Sequence, residues 1–147
     1  MMPIIYLALD QAIDVHRKTV EVSGGGSTGL LNTDALDSAL NYIQNDDYSP
    51  SFEDKLTYLF FSACKFHGFI DGNKRIAISL GAQFLLLNGY VFVAGRFIRE
   101  MENISYHVAA GNIDRELLKE IITALLSGNE DDEELKLKIL HAITRQD

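Results

Sequence analysis

The sequence is poor in the residues that staple or stiffen a chain. Of its 147 residues one is cysteine (Cys64), two are proline and none is tryptophan. A lone cysteine excludes an internal disulfide framework and any cysteine-built zinc cluster. Its place in an apolar helical pattern predicts a buried structural thiol rather than a nucleophile. With only 11 glycines beside the two prolines, collagen-like and low-complexity chains are excluded as well. Basic residues are in deficit, 13 Lys and Arg against 21 Asp and Glu, for a net charge of −8. Such a chain does not grip phosphate backbones over a broad surface, so nucleic acid is not expected as a direct partner. Long hydrophobic runs are missing too. The longest, Ile76 to Leu87, is interrupted by Ser79 and Gln83 and is too short to span a bilayer. The first residues reach Asp10 with no basic region and no small-residue cleavage site, which predicts a cytoplasmic protein without membrane contact. What is present is a globular balance, 47% hydrophobic and 23% charged, in a chain of one-domain length with enough apolar surface for a core.

Strand signals are scarce and helical spacing recurs. Ile5 to Val22 carries Leu9, Ile13 and Val20 at helical intervals, with His16 between them. The run Ser23-Gly24-Gly25-Gly26-Ser27-Thr28-Gly29 breaks any helix and reads as a loop. Asn32 or Thr33 can cap the next helix, with Leu36, Leu40 and Ile43 on its inner face. After a polar connection from Gln44 to Pro50, a third helix starts near Ser51, with Glu53 and Asp54 where the dipole favours them. Its inner stripe is Leu56, Leu59, Phe60, Ala63 and His67. Asn73 to Leu87 is apolar almost all round beyond its first turn, which places it at the centre of a bundle. Asn88-Gly89 should end it as a left-handed cap, and Tyr90 to Val93 reads as a brief extended stretch. Further helices are expected over Arg96 to Ala110, Asp114 to Leu126 and Asp131 to Thr144. No repeat appears. The expected fold is an all-α single domain over residues 1–127, with 128–147 as a helical extension of the same domain.

One segment does not read as ordinary packing: His67-Gly68-Phe69-Ile70-Asp71-Gly72-Asn73-Lys74-Arg75. His67 ends one helix on its apolar face, and the rest forms a short loop entering the most buried helix. A helix start offers free backbone N–H groups and a positive dipole end, a ready anion site. Gly72 lets backbone approach a ligand with no Cβ in the way. Asn73 can cap or orient, and Lys74 and Arg75 supply positive charge for phosphate. Asp71 is the only carboxylate in the loop, and a lone carboxylate plus substrate phosphates is how Mg²⁺ is usually held. His67 can accept a proton near neutral pH. Taken singly these are everyday features: a core histidine, an Asp-Gly-Asn turn, a solvated Lys-Arg pair. Together, a base, a metal ligand and a phosphate cradle describe phosphoryl or nucleotidyl transfer.

The segment resembles the Fic superfamily signature H-P-F-x-[D/E]-G-N-G-R, matched at His67, Phe69, Asp71, Gly72, Asn73 and Arg75. Two departures point to a branch. Lys74 stands where Fic adenylyltransferases carry Gly, as in the death-on-curing (Doc) toxins, and Ile78 stands where AMP-transferring members commonly have a second Arg. Gly68 replaces the usual Pro. The likeness extends over Ile5 to Leu126, through the Gly-rich loop, Leu86-Leu87-Asn88-Gly89-Tyr90 and Ala109-Ala110-Gly111-Asn112-Ile113.

The resemblance implies a Fic-fold helical bundle around a central motif helix. It also implies roles: His67 as base, Asp71 as Mg²⁺ ligand, Gly72, Asn73, Lys74 and Arg75 as the ATP phosphate cradle, and Phe69 as an apolar plug. For the Doc-like branch it implies phosphate transfer from ATP to a Ser or Thr hydroxyl of a protein such as elongation factor Tu. The alternatives are a Fic-type AMP transferase and a degenerate nucleotide-binding module. Self-inhibited members carry the pattern [S/T]-x-x-x-E-[G/N]. Here the only Glu followed by Gly or Asn, Glu102 before Asn103, has Ile98 four residues earlier, so the pattern fails. Restraint is therefore expected from a separate small antitoxin protein. The acidic run from Glu130 to Glu134 reads as a solvated helix start, not as an inhibitory arm.

Overall fold

The structure is a computed structural model describing residues 3–22, 33–65 and 70–144, with 19–22 and 70–74 described as backbone alone. The described residues form α1 (Leu9–Val22), α2 (Thr33–Tyr42), α3 (Phe52–Cys64), α4 (Ile70–Leu87), α5 (Val91–Ala109), α6 (Arg115–Ser127) and α7 (Glu133–Thr144), with no strand among them. This is the expected all-α bundle. Its centre is α4, which packs against α1, α3 and α5. Ile76, Ala77, Leu80, Phe84 and Leu85 of α4 are all buried. No helix among the described residues is long and apolar enough to cross a membrane.

Ser51 and Asp54 start α3 with a capping box: the Asp54 N–H donates to Ser51 Oγ (3.1 Å) and the Ser51 N–H to Asp54 Oδ2 (3.3 Å). The same carboxylate takes a 2.8 Å ion pair from Lys119, tying the start of α3 to α6. Leu56, Leu59, Phe60 and Ala63 are fully buried, as their spacing requires, and Cys64 is buried beside them. Between them sits Lys55, also fully buried. Its ammonium donates to Ile43 O (2.7 Å), Ser49 O (2.7 Å) and Asp46 Oδ1 (2.8 Å), and lies 5.5 Å from the Tyr6 ring centre. All three donors are used, so the charge is held without an orphan. Burial works against that charge, but the neighbouring Asp46 and Tyr6 outweigh it and raise the Lys55 pKa above the ordinary value. The polar connection expected over 44–50 is thus wrapped around one buried cation.

α3 ends at Cys64 with Lys65 as its cap, short of the His67 expected at the end of that helix. Three further elements differ from expectation. The first helix begins at Leu9, not Ile5, because Ile5 bonds elsewhere: its N–H donates to Asn88 Oδ1 (2.8 Å) and its carbonyl accepts from Asn88 Nδ2 (2.9 Å). Ile13 is exposed, while Ala12 and Leu7 are buried; a small residue lets α1 lie close against α4. Second, α4 starts at Ile70 rather than Asn73. Asp-Gly-Asn favours a turn locally, yet the well-packed body of the helix outweighs the roughly 1 kcal/mol that glycine costs in a helix.

Third, α5 begins at Val91, where an extended stretch was expected. Gly89 takes φ +87°, its N–H bonds Leu86 O (3.1 Å), and the Tyr90 N–H bonds Leu85 O (2.9 Å). This Schellman closure reverses the chain at once, and Tyr90 stacks on Phe52, ring centres 5.0 Å apart. Of the residues that read as strand, Val91 (61% exposed) and Phe92 (89%) lie on the wet side of the new helix, Tyr90 and Val93 pack partly against the core, and Ala94 and Phe97 turn inward. At the far end α7 packs against α6 through Leu135, and Glu130 pairs with Arg96 (2.9 Å).

Candidate active site

The start of α4 carries the motif. With the helix beginning at Ile70, Asp71, Gly72 and Asn73 fall in its first turn, where backbone N–H groups lack partners within the helix, and Lys74 and Arg75 follow directly. For Asp71, Gly72, Asn73 and Lys74 the backbone alone is described. The candidate base His67 and its neighbours Gly68 and Phe69 lie outside the described residues, as do the Gly-rich run 23–29 and Asn32. Arg75 is described in full and is exposed.

Arg75 opens onto a groove of about 530 Å³ between α4 and α5. One wall is Arg75 and Ile78, three residues apart and so on one face of α4. The other wall is Arg99, Glu102, Asn103 and Tyr106, the i, i+3, i+4 and i+7 stripe of α5, with Ser105 below. What holds the walls at this spacing is a contact deeper in the fold. A Cβ built on Gly81 of α4 would lie 2.5 Å from Phe97 Cζ and 2.7 Å from Phe97 Cε1. Helix backbone therefore rests directly on an aromatic ring of α5.

A groove of this volume suits a nucleotide-sized ligand, and guanidinium groups on its walls suit an anionic one. Sequence reasoning found one wall, because its residues are contiguous, and missed Arg99, Asn103 and Tyr106. The signal was the polar stripe on α5, which lies wholly within the helix expected over Arg96 to Ala110; that it faces Arg75 and Ile78 is set by tertiary packing.

Comparison with known proteins decides the lineage. The Fic/DOC family model matches residues 6–85, more than half of the chain and the whole of the motif segment 67–75. The chain belongs to the Fic/Doc family. Members of this family are transferases. The match ends within α4; α5, which builds the second wall, lies beyond the Fic/DOC span. Neither the curated proteins nor the solved structures returned a match to this chain.

Proposed function

We propose that this chain is a Doc-like Fic protein that transfers the γ-phosphate of ATP to a Ser or Thr hydroxyl of a protein, a translation factor of the elongation factor Tu kind. The observation that carries this is the pairing of Lys74 with Ile78. A lysine precedes Arg75 in the motif, and one turn later the wall of the groove is aliphatic where AMP-transferring relatives commonly place arginine. In this reading His67 takes the proton of the target hydroxyl as its oxygen bonds the γ-phosphorus. The bond from that phosphorus to its bridging oxygen breaks, and ADP leaves with the electron pair. Gly72, Asn73, Lys74 and Arg75 bind the phosphates at the helix start.

Asp71 would hold Mg²⁺, which when bound neutralises phosphate oxygens. A lone carboxylate completed by the substrate's own phosphates is how Mg²⁺ is usually held. Restraint comes from a small antitoxin protein whose segment folds beside the site. The test is label transfer from γ- or α-labelled ATP to a cell extract, followed by identification of the modified peptide. Label from the γ position is expected. Label from the α position replaces this reading with AMP transfer, and Mg²⁺–ATP binding without any transfer replaces it with a degenerate module.

A further inference from the structure

We infer that Arg99 of α5 is a second phosphate-binding residue, closing with Arg75 on the polyphosphate of a nucleotide from the opposite wall of the groove. The inference rests on the reading that the motif helix binds a nucleoside triphosphate, and it holds whichever phosphorus is attacked.

The antiparallel packing of α4 and α5 sets the level of each residue. Gly81 meets Phe97, so one turn back along α4 from Gly81 stands level with one turn on along α5 from Phe97. Ile78 therefore faces the turn that holds Arg99, and both line the groove. A positive charge missing from α4 at Ile78 is thus present across the gap. No ion pair of the described residues engages Arg75 or Arg99. In a chain with 21 acidic residues to 13 basic ones, two guanidiniums on facing walls with no ion pair among the described residues form a feature that surface pairing does not account for. Arg99 is exposed, and its Nη1 lies over Gly95, 3.7 Å from where a Cβ would stand. The missing side chain leaves the guanidinium room to swing between the helix surface and the groove, and exposed rotamers change in picoseconds to nanoseconds. Asn103 adds amide donors on the same wall. Glu102, also on that wall, opposes an anion. This arrangement fits a multiply charged phosphate chain, which two arginines can span, better than a single carboxylate.

The experiment is calorimetric titration of the full chain with Mg²⁺–ATP and, separately, with inorganic triphosphate, which lacks the base and ribose. Arg99→Ala should weaken both about tenfold, the scale of one charge-assisted bond partly open to water. Arg99→Lys should lose less, and Glu102→Gln should tighten binding severalfold by removing a like charge. Opposite signs for Arg99→Ala and Glu102→Gln support the inference; weakening in both marks a disturbance of α5 and overturns it. If Arg75→Ala weakens binding while Arg99→Ala matches the wild type, the inference fails and the nucleotide reading stands. If neither arginine matters, the groove is not the phosphate site and both fall.

Discussion

Replacing Gly81 by Ala and Gly95 by Ala makes the same chemical change in two helix interiors, and the structure assigns them opposite signs. In either place alanine should favour the helix by about 1 kcal/mol, since neither glycine uses a left-handed backbone. At Gly95 nothing opposes that gain: the nearest atom to the new Cβ is Arg99 Nη1 at 3.7 Å, ordinary contact. At Gly81 the Cβ arrives 2.5 Å from a ring carbon of Phe97, with Leu56 Cδ1 at 3.5 Å on another side. The ring has nowhere to go. Phe97 is fully buried and meets the equally buried Phe60 edge-on, centres 5.6 Å apart at 85°. Overpacking of this kind costs about 1–3 kcal/mol, and a boxed ring belongs at the upper end. The net for Gly81→Ala is then a loss of about 2 kcal/mol. A chain of this length shifts its melting point about 2–4 °C per kcal/mol, so Gly81→Ala should melt roughly 4–8 °C lower and Gly95→Ala roughly 2–4 °C higher. Thermal unfolding followed by circular dichroism measures both. A Gly81→Ala protein as stable as the wild type would show that α4 and α5 separate without strain, and that their contact does not set the width of the groove.

Lys55→Met should cost about 2–4 kcal/mol in urea unfolding, because the Ile43 and Ser49 carbonyls lose their buried donor; a change below 1 kcal/mol would mean the connection rearranges freely. Burial acts to raise the Asp54 pKa, but Lys119 and Ser51 outweigh it and hold the carboxyl below its ordinary range. A depressed carboxyl contributes stability above its unfolded pKa near 4, and that contribution is lost as pH falls through the folded value. The stability gap between wild type and Asp54→Asn should therefore be open at pH 7 and narrow as pH falls below 4; a gap independent of pH refutes the assignment. If His67 is the base, His67→Gln lowers transfer by about two to four powers of ten with the melting point kept, and near-normal transfer in the folded variant rules that mechanism out.

The parts of the fold that were legible are those where local chemistry and packing agree. Ser51 and Asp54 announce the start of α3 by themselves, and Leu36, Leu40, Leu56, Leu59 and Phe60 lie on the faces their spacing demands. Misreadings occurred where a distant partner decides. Ile5 looks helical until Asn88 takes its backbone, and Val91-Phe92 looks like strand until the closure at Gly89 lays it on the wet side of a helix. The site divides in the same way. Its motif wall is contiguous and was visible as a segment, whereas the Arg99 wall depends on which turn of α5 meets Gly81, a matter of ring-to-backbone contact that no periodicity encodes.

The bond pair between Ile5 and Asn88 also has a place in time. It spans 83 residues, whereas the turn at Gly89 and the α4–α5 pairing close locally. Local contacts form early and long loops close late. The two Asn88 bonds should therefore be absent from the folding transition state and be made only as the first residues dock. Asn88→Ala would leave the folding limb of a chevron nearly unmoved and raise the unfolding limb, shortening the native lifetime. The side chain that closes off the central helix thereby serves as the latch governing how long the folded molecule persists.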